Sequence, residues 1–210
     1  MTRIATRMTH TDPLAEQGAL AIAMGAWFIC HTEVTTMEDY VKLLRVRLSS
    51  RKDDRLLVSL EQVNESIRTG ESTTDFAGRF CRRGAWGVSG FVLETVPVCL
   101  HAWLSCRRDY GAAVRSVISF GGDADTTAAI ADAIAGSECG ASGRQYTSRI
   151  AEWPAGVAWQ MDLSKQFTEG METVIPDQSH SIFWVSRLLR NLGFVVPVLF
   201  HGFRLLLPPW

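Results

Sequence analysis

The sequence predicts an all-α protein, and three observations support this fold class. Apolar residues recur at helical spacing along much of the chain. Residues that favour helix starts precede several of these segments. Long runs that alternate apolar and polar residues, as half-buried strands do, are missing from the sequence. The chain has 210 residues, 47% of them hydrophobic, which is enough to bury the core of a domain.

Helix-start signals precede three predicted helices in the first third of the chain. Asp12 followed by Pro13 is typical of a helix start, because proline suits the first turn. Residues 35–38, Thr-Thr-Met-Glu, match the capping-box pattern, and Asp54 is a favoured N-cap residue. We expect the three helices to end near Cys30, Leu48 and Ile67.

The middle of the chain predicts a long loop followed by three more helices. Residues 69–90 contain five glycines and are therefore expected to form a loop, and such loops often carry function. The helices after it are predicted to begin at Thr95-Val96-Pro97, after Asp109 and near Thr126, and to end near Leu104, Val117 and Ser137.

Charge and cysteine usage exclude several classes of protein. The 21 basic and 22 acidic residues nearly balance, so we expect no nucleic-acid partner. Arg79, Arg82 and Arg83 form a small basic cluster that we expect to be solvated surface. An odd number of cysteines without C-x-x-C spacing indicates reduced, mostly buried thiols. No apolar run of signal-peptide length precedes His10, and we expect a cytoplasmic protein.

Residues 121–140, GGDADTTAAIADAIAGSECG, are the most informative segment of the chain. Two glycines permit a sharp turn before a helix of small residues. Asp123, Asp125 and Thr126 then place three hard oxygen ligands at the helix start, where Mg²⁺ or Mn²⁺ could bind. An alternative is that these residues only cap the helix.

Other readings of the two aspartates are tested by the residues around them. An EF-hand loop fails because Ala128 and Ile134 occupy its glycine and glutamate positions. A D-x-D-x-T phosphatase fits residues 123–127, but Lys165 is the only later lysine and no adjacent acidic pair follows. Phosphatase activity is therefore kept as a less favoured alternative. A P-loop is excluded because no Gly-Lys-Ser/Thr triplet occurs.

Three segments together resemble one family. The stretch 121–136 closely resembles the C-terminal metal motif of the ADP-ribosylglycohydrolase family. Residues 9–13, Thr-His-Thr-Asp-Pro, with the alanine-rich helix after them, resemble its threonine-histidine segment. Residues 87–97, GVSGFVLETVP, resemble its ribose-contacting loop and the following helix. The resemblance spans residues 9–30 and 84–140.

The resemblance implies an all-helical fold with two Mg²⁺ or Mn²⁺ ions in a cleft. Such enzymes remove ADP-ribose from a modified side chain or hydrolyse related ADP-ribose compounds, so an ADP-ribosylated protein or an ADP-ribose-containing small molecule is the implied partner. The implied metal ligands are Asp123, Asp125 and Thr126. The implied substrate-binding residues are His10, Gly87, Ser89, Gly90 and Phe91. No catalytic residue is assigned. Trp86 is a candidate for stacking on an adenine.

Departures from the family pattern create a second hypothesis. The N-terminal glycine-aspartate segment and the Thr-Asp-Asp-Thr motif, which supply other metal ligands, are missing, so we expect a domain truncated at its N-terminus. Asp132, Glu138 and Glu94 also replace the usual residues. The alternative to a hydrolase is therefore a non-catalytic ADP-ribose or metal-binding module, or a half-site that a second chain completes.

The C-terminal segment 182–210 is rich in Phe, Leu, Val and Trp. Arginines, His201 and Pro197 interrupt it before it reaches the roughly 20 apolar residues that cross a bilayer. It is expected to pack on the domain, or to contact a membrane surface or another subunit. We therefore predict a helical domain over 1–180 and a separate apolar tail over 181–210.

Overall fold

The computed structural model of the chain describes residues 1–31, 36–48, 54–82, 86–140, 144–172 and 181–206. All regular elements within these ranges are helices and none is a strand, which confirms the predicted all-α fold. In order they are α1 (Thr2–Arg7), α2 (Pro13–His31), α3 (Met37–Leu48), α4 (Arg55–Arg68), α5 (Thr73–Phe80), α6 (Val92–Ser105), α7 (Tyr110–Phe120), α8 (Ala124–Cys139), α9 (Arg144–Thr147), α10 (Val157–Glu172) and α11 (Trp184–Leu206).

The chain divides into two compact units, Met1–Gly143 and Arg144–Trp210. The first unit contains α1 to α8 and the second contains α9 to α11. The predicted division into 1–180 and 181–210 stays a prediction. By length and composition alone, α2 and α11 could each cross a membrane; α2 is partly buried in the first unit, whereas no residue of α11 is buried.

Helix α6 forms the centre of the first unit. It contacts α2, α4, α5, α7 and α8, and every residue from Glu94 to Leu104 is buried. Trp103 is fully buried and meets the ring of Tyr40 edge-on, with 6.2 Å between centroids. A helix that is apolar on nearly all sides has to be surrounded by other elements, and this explains its central position.

Two predictions for the middle of the chain are wrong. The expected loop 69–90 contains α5, because Ser72 caps this helix by accepting a hydrogen bond from the backbone N–H of Asp75. Helix α6 begins at Val92, so that Pro97 lies inside it. The first turn of each helix is closed by a local hydrogen bond, from the Asp75 N–H to Ser72 Oγ in α5 and from the Thr95 N–H to the Phe91 carbonyl in α6.

Some of the predicted N-caps are confirmed and others are not. Asp109 caps α7 by accepting from the N–H of Ala112 at 2.9 Å, as expected. Thr36 caps α3 through the N–H of Asp39, while Thr35 lies outside the described residues. Asp54 precedes α4, but its side chain makes no capping hydrogen bond.

The five cysteines are free thiols, as the sequence predicts, but the prediction that most of them are buried is wrong, since only two are. Cys81 and Cys99 are buried, and burial raises the pKa of each thiol to about 12. Both are therefore protonated and poor nucleophiles at neutral pH. Cys30, by contrast, is exposed.

Two acidic residues that depart from the family pattern tie α8 to its neighbours. Glu138 accepts hydrogen bonds from Trp103 Nε1 at 2.9 Å and from Arg107 Nε at 2.6 Å. Burial acts to raise the pKa of Glu138, but these hydrogen bonds outweigh it and hold the pKa below its usual range. Asp132 accepts a hydrogen bond from the hydroxyl of Tyr110 on α7. Both residues therefore have a structural role in the packing of α8.

His101 is fully buried on α6 and joins three helices through polar contacts. Its Nε2 lies 2.9 Å from Ser66 Oγ on α4, and its Nδ1 lies 3.0 Å from Thr73 Oγ1 on α5. The Ser66 hydroxyl donates in turn to Glu71. Burial lowers the pKa of His101 to about 4, with Arg79 acting in the same direction and Glu71 against it. The imidazole is therefore neutral at physiological pH.

This burial predicts that the protein loses stability as the pH falls from 7 to 5. The pKa of His101 is about 4 in the folded state and 6.5 for the free side chain, so the unfolded state binds more protons between these values. We expect the free energy of unfolding to decrease by about 2 kcal/mol from pH 7 to pH 5 through this residue. Urea unfolding followed by circular dichroism at several pH values measures the slope.

His101→Gln should flatten that slope, because glutamine does not titrate. Val63→Ala removes apolar volume from the buried face of α4 and should lower stability by a similar amount at every pH. A slope in His101→Gln equal to that of the wild type would contradict the assignment. The pKa of Glu71 is lowered to about 2, so this residue changes the free energy of unfolding below about pH 4.5, outside the measured range.

Candidate metal and ADP-ribose site

Two separate segments of the sequence meet directly in front of α6 and α8. The N–H of Val88 donates to the carbonyl of Gly121 at 3.1 Å, and the N–H of Asp123 donates to the carbonyl of Val88 at 2.7 Å. This pairing forms an isolated parallel bridge between Val88 and Gly122. It brings the segment that resembles the ribose-contacting loop next to the segment that resembles the metal motif.

The close approach of these backbones requires glycine. Gly87 has φ +89°, and a Cβ at this position would lie 2.2 Å from the backbone N of Gly122. Gly122 has φ +81°, and its Cβ would lie 2.2 Å from the carbonyl oxygen of Val88. At Gly90 a Cβ would lie 2.8 Å from Asp123 Oδ2. Residues 87–91, which resemble the ribose-contacting loop of the family and are named the substrate loop here, are therefore neighbours of the Asp123 carboxylate in space.

The carboxyl groups of Asp123 and Asp125 lie close together. Asp123 is half-buried at the N-cap position of α8 but makes no capping hydrogen bond with its side chain. A hydrogen bond with Asp123 lowers the pKa of Asp125, and the N–H groups of Asp125 and Thr126 act in the same direction. Two carboxylates this close repel each other when both are ionised, and a bound cation would reduce that repulsion. Capping alone does not explain Asp123.

The predicted metal ligands are three oxygen-bearing side chains at the start of α8. Asp123, Asp125 and the exposed Thr126 offer two carboxylates and a hydroxyl on one turn. In the part of the chain that the structure describes, no group of three His, Cys, Asp or Glu side chains could hold a metal. Mg²⁺ commonly keeps several water ligands and needs few carboxylates from the protein, so this set is compatible with one such ion. The two-ion arrangement stays a prediction.

Glu94 fixes the conformation of the substrate loop. It accepts hydrogen bonds from Ser89 Oγ at 2.5 Å, from the Ser89 N–H at 3.2 Å and from the Arg82 N–H at 3.1 Å. Thr95 Oγ1 adds a hydrogen bond to the Ser89 carbonyl at 2.9 Å. Burial acts to raise the pKa of Glu94, but the hydrogen bonds outweigh it and keep the pKa below its usual range. Glu94 is therefore ionised at neutral pH.

These contacts also define what Ser89 can do. Its hydroxyl donates to Glu94 and accepts from the Phe91 N–H at 3.3 Å. Its side chain is thus engaged in the loop, with no histidine to remove its proton among these contacts. This agrees with the sequence, in which residues 87–91 do not form the G-x-S-x-G pattern of a serine nucleophile.

The remaining predicted ligand-binding residues, and the candidate stacking residue Trp86, are less closely tied to Asp123 and Asp125 by contacts. His10 is exposed, its side chain hydrogen-bonds to Thr9 Oγ1 at 2.8 Å, and no hydrogen bond links it to the substrate loop or α8 in the described ranges. Phe91 is half-buried, with the Arg82 guanidinium 5.2 Å from its ring centroid. Trp86 is 84% exposed beside the loop and is sterically free to meet a ligand.

Two surface depressions lie elsewhere. The larger, about 680 Å³, is lined by residues of α5 and α7 and the ends of α4 and α6, and the smaller, about 440 Å³, by residues of α4 and α5 with Thr69 and Glu71. Neither includes any predicted ligand or metal residue. Both depressions are open surface features, whereas Gly90 of the loop and the Asp123 carboxylate meet at the start of α8.

Comparison with known proteins identifies the family. The family model for ADP-ribosylglycohydrolase matches residues 1–177. The chain belongs to the ADP-ribosylglycohydrolase family, whose members act on ADP-ribosylated substrates and generally depend on a metal. No curated protein and no solved structure matches the chain.

The glycines of the junction predict a contrast between two alanine variants. In Gly87→Ala the new Cβ meets backbone atoms and the residue keeps an unfavourable φ, so we expect a loss of about 1–3 kcal/mol in the free energy of unfolding. In Gly90→Ala the Cβ meets only the tip of the Asp123 side chain, which can rotate away. We expect this variant to lose less than about 1 kcal/mol. Urea unfolding distinguishes the two.

Gly136→Ala serves as the control, because a Cβ at this position in α8 meets nothing within 4 Å. Alanine has the higher helix propensity, so this variant should be as stable as the wild type or more stable. Equal stability of Gly87→Ala and Gly136→Ala would contradict the description of the junction.

Proposed function

We propose that this protein is a divalent-cation-dependent ADP-ribosyl hydrolase. The reaction is hydrolysis of the bond between ADP-ribose and a modified side chain or a related acceptor. The observation that carries the proposal is the Val88–Gly122 bridge, which joins the substrate loop to the acidic start of α8. A ligand held along the loop would therefore have its ribose close to Asp123.

Asp123, Asp125 and Thr126 are the proposed ligands of the cation. Their oxygens are the ligand type that Mg²⁺ and Mn²⁺ prefer. The cation, when bound, would polarise the bond at the anomeric carbon and lower the pKa of a bound water. The contact between the two carboxyl groups supports this role, since a cation removes their repulsion.

The substrate loop is the proposed ADP-ribose contact. Gly87 permits the close approach of residues 121–122, and Gly90 leaves the loop without a side chain beside Asp123, so that a ribose could approach the backbone there. Glu94 holds Ser89 in place from within the protein. Phe91 and the exposed Trp86 offer aromatic surface to the ligand. His10 is the least supported member of the proposed set.

A non-catalytic ADP-ribose or metal-binding module is the second candidate. It is favoured by the small number of protein ligands, because the described residues contain no third acidic, histidine or cysteine ligand for the cation. A site of this kind would bind the ion weakly. It would either require a second chain to complete it or bind its ligand without turnover.

Calorimetric titration with Mg²⁺ or Mn²⁺, followed by ADP-ribose, tests the proposal. We expect Asp125→Ala to weaken cation binding by roughly tenfold or more, because a charged inner ligand is lost. Asp132→Ala is the matched control: it removes one carboxylate from the exposed side of the same helix and should change affinity less than about twofold. Equal affinities for the wild type and Asp125→Ala would overturn the metal site.

Turnover then separates the candidate functions. Cation-dependent release of ADP-ribose from a modified protein, lost in Asp125→Ala, would support the hydrolase. Binding of ADP-ribose without any release would support the binding module. Hydrolysis of a phosphomonoester that is lost in Asp123→Asn would instead identify the D-x-D-x-T phosphatase.

A further inference from the structure

Helix α11 exposes an unusual amount of apolar surface. None of its residues from Trp184 to Leu206 is buried. Large apolar side chains are more than half exposed along its whole length, for example Trp184, Leu192, Val196, Phe200 and Leu206. Contiguous apolar surface of this kind is typical of an interaction site.

Most of the large apolar residues of α11 lie on a different side of the helix from its basic residues, with Phe194 and Leu205, which lie beside Arg187, as exceptions. At 100° per residue, Leu188, Leu192, Val195 and Leu199 fall on one side, while Arg190, His201 and Arg204 fall on the other. Such separation, with arginines on the polar face and Trp, Phe and Leu on the other, is typical of helices that lie in the surface of a bilayer.

The charge of this segment has one sign. Residues 181–206 contain Arg187, Arg190 and Arg204 and no acidic residue. Arg190 is paired with Glu152, from which Nε lies 3.0 Å away. In the described ranges no ion pair involves Arg187 or Arg204, which leaves two cationic groups available to an anionic surface.

We infer that α11 binds the surface of an anionic lipid bilayer and lies in its plane. The apolar side contacts the acyl chains, and the arginines contact the headgroups. This inference goes beyond the proposed hydrolase and does not depend on it.

The other arrangements of α11 fit the residues less well. Although the helix is long enough to cross a bilayer, its longest segment without a charged residue, 191–203, is shorter than the roughly 20 residues required. Crossing would place Arg190 or Arg204 within the hydrocarbon at a cost. Pairing with the α11 of a second copy would bring six arginines together, three from each, without an acid on either helix.

Vesicle co-sedimentation of the full chain tests the inference. We expect binding to phosphatidylcholine vesicles that contain about 30% phosphatidylserine, weak binding to pure phosphatidylcholine, and release by high salt. Arg187→Gln together with Arg204→Gln should weaken binding by about thirtyfold, since each arginine near the surface contributes roughly fivefold.

Two further variants make the test specific. Arg45→Gln with Arg68→Gln removes the same charge from exposed positions on α3 and α4 and should leave vesicle binding unchanged. Val195→Asp with Leu199→Asp should abolish binding, because it places charges on the apolar side.

Three results would overturn the inference. These are equal binding to neutral and anionic vesicles, binding that resists both high salt and alkaline carbonate, and a dimer in sedimentation that Val195→Asp with Leu199→Asp dissociates while vesicles remain unbound. The second result would indicate a helix that spans the bilayer, and the third a contact between copies. Calorimetric binding of ADP-ribose in the same variants should equal that of the wild type.

Discussion

The candidate site depends on one short backbone contact, the bridge between Val88 and Gly122. It can form only because neither Gly87 nor Gly122 has a Cβ, and both adopt a φ that favours glycine. Immediately after the two paired segments the chain enters α6 and α8, which pack against each other. The bridge therefore sets both the position of Asp123 relative to the loop and the starting points of two core helices.

Hydrogen bonds to the carboxylates of Glu94 and Glu138 stabilise this arrangement. Glu94 lies under the loop near the start of α6, and Glu138 lies near the end of α8 beside Trp103. In each case hydrogen bonds to the carboxylate outweigh the effect of burial, and the charge is retained. Both residues differ from the family pattern, and both stabilise this fold through hydrogen bonds to their carboxylates.

The family was predictable because its signals are local. An Asp-x-Asp-Thr segment after two glycines and before small residues can be recognised without tertiary information. Helix α5 was not predictable in this way, because the five glycines of 69–90 are typical of a loop and only Ser72 indicates a helix start. The predicted start of α6 is too late, because proline is typical of a first helical turn and Pro97 instead lies inside the helix. The contacts of His101 could not be predicted, since its partners come from α4 and α5 and no sequence spacing links them.

The sequence by itself determined the helical class, the family, the acidic start of α8 and the cationic, apolar character of residues 182–206. These properties follow from residue type and short spacing, which the printed chain contains in full. Only the tertiary structure decided that Gly90 faces the Asp123 carboxylate and that Glu138 accepts hydrogen bonds from Trp103 and Arg107. Such contacts depend on how distant segments pack, and the physical reason is that steric fit and burial act between residues far apart in the chain.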